Sequence, residues 1–114
     1  MAEGATAADP METAGLEAGA GAAARVLRLL ANEHRLRLMC RLAGGDHSVG
    51  DLARLVGLSP SSCSQHLARL REEGLILARR DHQTVYYRLA EPKGLRIIMS
   101  VCDLSRSATE GGET

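Results

Sequence analysis

Apolar residues along the chain recur first at helical spacing and then alternate. From 22 to 31 and from 34 to 42, they lie three and four positions apart, the spacing of two amphipathic helices. Residues 48–73 contain two more segments of this kind. After Gly74 the period changes to two, and residues 75–80 and 84–89 predict two strands joined by a polar link. The pattern therefore predicts four helices followed by a β-hairpin.

Capping residues mark the third and fourth helices. Ser48 and Ser59 each precede a helical segment, and a serine side chain can accept a hydrogen bond from the free amides of a first turn. Pro60 suits the first helical position, and Gly74 suits a helix end. The two helices are then joined by a turn at residues 57–59. This arrangement predicts a helix-turn-helix.

A last helix is predicted from about Lys93 to Ser105, with apolar residues on one stripe. The order of elements indicates a mainly α protein with a β-hairpin wing (α+β), a winged helix-turn-helix. The first and last helices carry more apolar surface than a small core can use. We therefore expect the protein to be dimeric through these two helices.

The ends of the chain differ from the middle. Residues 1–21 are rich in Ala, Gly, Glu and Thr with few apolar anchors, which predicts a disordered acidic leader. Residues 22–106 hold the whole winged helix-turn-helix pattern, and residues 107–114 form a polar tail. The sequence thus predicts one folded domain between two polar ends.

Composition limits the class of protein. Tyr86 and Tyr87 are the only aromatic residues, so the core must be aliphatic, which suits packed helices. No apolar run approaches the ~20 residues of a membrane span, and the N-terminus lacks the pattern of a secretory signal. Three widely spaced cysteines do not indicate a disulfide framework. We expect a cytoplasmic protein with free thiols and no membrane partner.

Charge and side-chain chemistry point to nucleic acid. The net charge is zero, but residues 23–90 carry eleven arginines and six acidic residues, a net charge of +5. This favours a polyanionic partner. In the fourth helix, Cys63, Leu67 and Leu70 share one side. The opposite side holds groups that can meet base edges and phosphates in a major groove, namely Ser61, Ser62, Gln65 and Arg69. Double-stranded DNA is the predicted partner.

Four segments together resemble the ArsR/SmtB-type bacterial repressors, over about residues 24–105. These are residues 30–38, 48–52, 58–67 and 83–87, which read LANEHRLRL, SVGDL, LSPSSCSQHL and QTVYY. The resemblance implies a homodimer that represses transcription at a pseudo-palindromic operator. It also implies that the dimer leaves the operator when a ligand or an oxidant acts.

The resemblance assigns DNA contacts to two elements. In the recognition helix they are Ser61, Ser64 and Gln65, with His66 beside them. On the wing they are the side chains of Arg79, Arg80 and Gln83, placed to contact backbone or minor groove. Other interpretations stay open: the serines can serve in capping and solvation, His66 can belong to the core, and the two arginines can be solvated.

The resemblance also limits the sensing site. Metal-sensing members commonly carry a Cys-x-Cys pair at the start of the third helix, or Asp and His ligands in the last helix. Here the third helix begins at residues 48–51 without cysteine, and no histidine follows His82. Neither of these two metal sites is present, and we expect no metal or other cofactor.

The setting of Cys40 resembles the sulfide- and persulfide-responsive, BigR/SqrR/HlyU-like branch, in which a second-helix cysteine pairs with one in the last helix. The branch's second cysteine aligns near Arg106, one turn after Cys102, a displacement of ~6 Å. Since a disulfide needs Cα atoms within ~7 Å, a direct bond and a longer polysulfide link both stay open. Arginine at 41 or 106 is expected to favour the reactive thiolates.

The expected function is a sequence-specific DNA-binding repressor that releases its operator when a persulfide or an oxidant modifies Cys40 and Cys102. One alternative is a repressor that responds to a metal or metalloid, such as trivalent arsenic held by all three thiols. Another is a ligand-independent repressor in which Cys40 and Cys102 are small core residues, as Cys63 is expected to be.

Two other classes of protein have less support. The chain has no phosphate-cradling glycine loop, no paired carboxylates in an apolar setting and no catalytic Ser/His/Asp pattern, so we expect no enzyme activity. A winged helix can also bind proteins instead of nucleic acid. The basic middle of the chain and the polar face of the fourth helix favour DNA over a protein partner.

Overall fold

The computed structural model describes residues 9–111, with side chains as far as Thr109. In this range the chain forms six helices and one three-stranded antiparallel sheet. Their bounds are α1 Pro10–Ala18, α2 Ala20–Leu30, α3 Glu33–Ala43, β1 His47–Ser48, α4 Val49–Val56, α5 Pro60–Glu72, β2 Ile76–Asp81, β3 Thr84–Leu89 and α6 Lys93–Gly111. The predicted class, mainly helical with a β-hairpin wing, is confirmed.

The helix-turn-helix is formed by α4 and α5, and both predicted caps are confirmed. Ser48 Oγ accepts a hydrogen bond from the amide of Asp51 at 3.2 Å, and Ser59 Oγ accepts one from the amide of Ser62 at 3.1 Å. Gly57 ends α4 in the left-handed region, with φ of 79°. Because side chains strain this conformation, glycine suits the sharp exit into the turn.

The wing is the hairpin of β2 and β3, paired in register from Ile76–Leu89 at the base to Asp81–Thr84 at the tip. A two-residue strand, β1, extends the sheet on the other side of β3 and gives the order β1-β3-β2. The hydrophobic pattern did not predict β1, because two residues are too few to show alternation.

One aliphatic core joins the helices to the sheet. Its fully or nearly buried apolar residues are Leu30, Leu38, Met39, Leu42, Leu52, Ala53, Val56, Cys63, Leu67, Leu70, Leu75, Ile76, Leu89 and Ile98. At Gly94 an added Cβ would lie 2.3 Å from the carbonyl oxygen of Leu75, so glycine lets the start of α6 pack against the base of the wing. Within residues 9–111, no helix is long and apolar enough to cross a membrane.

The structure differs from the sequence prediction near both ends. Residues 10–18, predicted to be disordered, form α1: Asp9 caps it, Pro10 occupies its first position, and none of its residues is buried. A helix without a buried face leaves no hydrophobic periodicity to detect. At the other end, α6 continues to Gly111 and into the predicted tail. Residues 1–8 and 112–114 lie outside the described part of the chain, and the domain limits of 22 and 106 stay predictions.

Candidate nucleic-acid interface and cysteine site

One long side of α5 is presented outward. Cys63, Leu67 and Leu70 are buried and fix the rotation of the helix. The opposite side carries the predicted DNA contacts: Ser61, Ser64, Gln65 and Arg69 are exposed, and Ser62 is half-buried. The polar face that the sequence predicted is therefore accessible along the whole helix, as groove recognition requires.

His66 lies at the boundary between this face and the core. Its Nδ1 is 3.1 Å from a terminal nitrogen of the Arg35 guanidinium, and its ring centre is 5.8 Å from that of His34. Burial lowers the pKa of His66, and the positive charges of Arg35, His34 and Arg69 lower it further. The histidine is therefore held in its neutral form at physiological pH.

Arg35 was not among the predicted site residues. It is buried, with 9% of its surface exposed, and its Nε donates to the carbonyl oxygen of Leu29 at 2.5 Å. Burial, and then the charge of Arg69, lower its pKa. A signal was present in the sequence, because Arg35 occupies the same helical stripe as Leu38, Met39 and Leu42.

The wing places its predicted residues on the surface. Arg79, Arg80 and Gln83 are all exposed. Arg79 Nε lies 3.4 Å from a carboxylate oxygen of Asp46, and its guanidinium lies 4.8 Å from the centre of the Tyr86 ring. These contacts direct the arginine without burying it, so the side chain stays available to a phosphate.

A basic cavity of about 730 Å³ extends from α5 to α2. It brings Gln65 and Arg69 of α5 beside two arginines of α2, Arg25 and Arg28. The cavity is also lined by Glu72 and Glu73, and Arg25 pairs with Glu73 at 3.6 Å. The two α2 arginines were not predicted as site residues, because their separation from α5 in sequence hides the proximity.

The three cysteines have different environments: Cys40 is exposed, Cys102 is half-buried and Cys63 is buried. Cys63 Sγ lies 3.9 Å from the carbonyl oxygen of Val49, between α5 and α4. Burial raises the pKa of the Cys63 thiol. This cysteine packs α5 against α4, as the sequence indicated.

Cys40 lies on α3 and Cys102 lies on α6, two helices that contact each other. Although Cys40 is exposed as a residue, the protein around its sulfur removes enough water to raise the pKa of its thiol. Repulsion from Cys102 raises this pKa further, and the charge of Arg41 offsets part of the increase. Both cysteines therefore lie on the helices that the sequence indicated, α3 and α6, which contact each other.

Arginine favours the Cys40 thiolate less than the sequence predicted. Arg41 acts in the expected direction, but burial and Cys102 outweigh it, so the thiolate of Cys40 is disfavoured on balance. Arg106 forms an ion pair with Asp103 on α6. Among the residues described, no three His, Cys, Asp or Glu side chains form a group that could hold a metal ion, so the three thiols do not come together.

Comparison with known proteins identifies the family. Residues 32–77 match the arsR family of bacterial regulatory proteins. The transcriptional activator HlyU of Vibrio cholerae is 42% identical over 81 residues, which cover 71% of this chain and 75% of HlyU. The biofilm growth-associated repressor of Xylella fastidiosa is 36% identical over 83 residues, 73% of each chain.

Solved structures show the same fold. Reduced HlyU from Vibrio cholerae superposes with a TM-score of 0.72 at 38% identity, covering 79% of this chain and 95% of that one. The homodimeric winged helix-turn-helix DNA-binding domain of Mb0332 from Mycobacterium bovis superposes with a TM-score of 0.73 at 30% identity, covering 97% and 95%. These relatives are transcription regulators and not enzymes. The chain belongs to the ArsR family of DNA-binding bacterial transcription regulators.

Proposed function

We propose that this regulator is a homodimeric repressor that binds a pseudo-palindromic operator and releases it when a persulfide or an oxidant modifies Cys40 and Cys102. The observation that carries the proposal is the placement of Cys40 on α3 and Cys102 on α6, two helices in contact, with Cys102 among the causes that raise the pKa of the Cys40 thiol. The name of the Xylella relative, a repressor, supports repression, whereas HlyU is named an activator.

DNA recognition is assigned to α5 and the wing. The exposed polar face of α5 would enter a major groove, with Ser61, Ser62, Ser64, Gln65, His66 and Arg69 as its contacts. Arg79, Arg80 and Gln83 would contact the backbone or the minor groove from the wing. A dimer would place two copies of α5 about 34 Å apart, one helical turn of DNA.

The dimer interface is assigned to α2 and α6. Between them lies an apolar groove of about 540 Å³, lined on α2 by Val26, Leu27 and Leu30 and on α6 by Ile97, Val101 and Leu104. Leu27 is 68% exposed and Leu104 is 69% exposed. A contiguous apolar surface of this kind is typical of an interface, and a second copy would cover it.

The switch begins with thiolate chemistry. The Cys40 thiolate attacks the outer sulfur of a persulfide RSSH, the S–S bond breaks, and RS⁻ leaves with the electron pair. The Cys102 thiolate then attacks the sulfur bonded to Cys40 and displaces HS⁻, which leaves a disulfide. In total two thiols and one RSSH give one disulfide, RSH and H₂S. A second RSSH allows one extra sulfur atom to be retained in the link, with a second RSH released.

The covalent link between Cys40 and Cys102 would affect DNA binding through the dimer interface. Cys102 lies on α6, which also lines the apolar groove, and Cys40 lies on α3, which contacts α5. A covalent bond between α3 and α6 favours one of two arrangements of the protomers and so changes the spacing of the recognition helices. A dimer whose helices no longer match successive grooves loses affinity for the operator.

The test uses the full chain and a duplex that the reduced protein selects from a random-sequence pool. Cys40→Ser should bind this duplex like the wild type but should not be released by glutathione persulfide. Cys63→Ala is the matched control and should still be released. Intact mass should show added sulfur or loss of two hydrogens in the wild type and the control.

Two outcomes would contradict the proposal. Release of Cys40→Ser at the wild-type persulfide concentration would show that Cys40 is a structural cysteine. Release of the reduced wild type by stoichiometric zinc, cadmium or arsenite would instead identify a metal- or metalloid-responsive repressor. Loss of DNA binding as salt rises would separately establish the electrostatic contacts, since a protein-interaction module would show almost no such slope.

A further inference from the structure

Arg35 connects three helices beneath the DNA-reading surface. It lies on α3, its Nε donates to the Leu29 carbonyl at the end of α2, and a terminal nitrogen lies 3.1 Å from Nδ1 of His66 on α5. In the described part of the chain, no other charged side chain is buried. A buried guanidinium needs hydrogen-bond acceptors, and the Leu29 carbonyl oxygen is one of them.

We propose that Arg35 is a positioning residue for DNA recognition: it fixes His66 as the Nε2–H tautomer, so that His66 offers DNA a single N–H donor. This inference rests on the proposed DNA-binding function of α5. The roles of the two residues are distinct, since His66 would touch the nucleic acid and Arg35 would act only through His66.

The tautomer follows from the chemistry of the pair. A guanidinium has five N–H donors and no acceptor, and it stays protonated in proteins. The contact at 3.1 Å therefore requires Nδ1 to be the acceptor, with no proton on it. A neutral imidazole carries one proton, so that proton must be on Nε2.

For His66 to contact DNA, this donor must face the polar side of α5. On α5, His66 lies between the buried stripe of Cys63, Leu67 and Leu70 and the exposed side chain of Arg69. Nδ1 is engaged on the core side, and the two ring nitrogens point away from each other. Nε2–H would then meet an acceptor, such as a purine N7, guanine O6, thymine O4 or a phosphate oxygen, but not an amino group.

The charges around His66 keep it neutral. His34 and Arg35 face it from α3 and Arg69 from α5, and together with burial they lower its pKa. On the α2 side, Arg25 and Arg28 line the adjoining cavity, where Glu72 and Glu73 supply the acidic groups. The Nε2–H tautomer should therefore persist at a pH where an ordinary histidine would already be protonated.

The direct test is a long-range ¹H–¹⁵N NMR spectrum of the His66 ring in the reduced, DNA-free protein. We expect an unprotonated Nδ1 and a protonated Nε2. Arg35→Met should yield a mixture of tautomers and a higher pKa for His66, and Arg35→Lys, which keeps a cationic donor, should retain more of the Nε2–H form. Arg37→Met is the control, because Arg37 is an exposed arginine of the same helix, paired with Glu33.

The second arm measures affinity for the pool-selected duplex relative to random duplex. Arg35→Met should lower this ratio about tenfold, the scale of one lost base contact. Equal loss on both duplexes would identify a phosphate as the acceptor instead of a base. If the wild-type spectrum shows the proton of His66 on Nδ1, that result by itself overturns the proposal. If the wild-type protein shows the expected tautomer but does not bind DNA, the proposed function is wrong and the tautomer assignment stands.

Discussion

At Cys40, three influences of different sign decide how reactive the thiol is. Partial desolvation of the sulfur and the nearby Cys102 raise its pKa, and Arg41 lowers it. Because the thiolate is the nucleophile, the reaction with electrophiles at neutral pH is slowed and should accelerate as the pH rises. The sensor chemistry proposed above thus operates from a disfavoured thiolate in an accessible position.

Cys102→Ser should increase the rate at which iodoacetamide alkylates Cys40. The substitution removes the repulsion that raises the pKa of Cys40, so more Cys40 thiolate is present at about pH 9, where ordinary thiols ionise. Thiolate fraction changes about tenfold per pKa unit, and we expect an increase of less than about tenfold. Site-resolved mass spectrometry over time measures the rate.

Cys63→Ala is the matched control for this measurement and should leave the rate at Cys40 unchanged. Arg41→Gln should act in the opposite direction and slow the reaction, since it removes the one influence that lowers the pKa of Cys40. An unchanged rate in Cys102→Ser would show that the two thiols do not interact.

Residue-level sequence reasoning located the polar side chains of α5 and the cysteines on α3 and α6. It could not locate the contact of Arg35 with His66, because 31 positions separate the two residues and no local pattern reports such a pairing. It also could not give the net pKa shift of Cys40. That shift depends on how closely α3 and α6 pack, which is a tertiary property.

Among the elements, those with caps and a buried stripe were predicted best. Helices α4 and α5 begin at their predicted caps, and the hairpin strands were predicted to within a residue. The misses are α1, which buries nothing, the two-residue β1, and the C-terminal extension of α6. Each of these lacks the apolar periodicity on which prediction from a single sequence depends.

Ser59→Ala should lower the free energy of unfolding by about 1 kcal/mol, because Ser59 Oγ accepts the Ser62 amide at the start of α5. Ser64→Ala is the matched control. Ser64 is exposed in the middle of the same helix, so its replacement should leave stability unchanged or slightly higher while lowering DNA affinity.

Urea unfolding monitored by circular dichroism gives the stability of both variants, and fluorescence anisotropy gives their affinity for DNA. The two serines would then separate folding from recognition within one helix. If Ser59→Ala and Ser64→Ala lower the free energy of unfolding equally, the assignment of Ser59 as the stabilising cap of α5 is wrong.

The shape of the whole molecule leaves an apolar groove between α2 and α6 uncovered. The described protomer extends over 58 × 36 × 20 Å, and this groove is lined almost entirely by aliphatic side chains. The sequence predicted the excess of apolar surface on these helices. It could not show that the exposed residues of both helices meet in one groove, since that depends on how α6 returns to α2.

Leu27→Glu should convert the dimer to a monomer, because the carboxylate would be buried without a partner in the proposed interface. Leu27 is 68% exposed in the protomer, so the fold itself should be retained. Sedimentation velocity measures the oligomeric state, and affinity for the pool-selected duplex should fall at least about tenfold when the two half-sites are no longer bound together.

Leu77→Glu serves as the control for oligomeric state. Leu77 is a leucine that is 44% exposed on β2, away from the groove, and its replacement should leave the molecular weight in solution unchanged. A dimer that persists in Leu27→Glu would assign the interface to a different surface.

The buried thiol of Cys63 can serve as a probe of motion between α4 and α5. Its sulfur is sealed between α5 and α4, so a thiol reagent can reach it only during moments when those helices separate. The rate at which a thiol reagent modifies Cys63 should therefore report how often α4 and α5 separate, without any added label. Duplex DNA that contacts both helices should lower this rate.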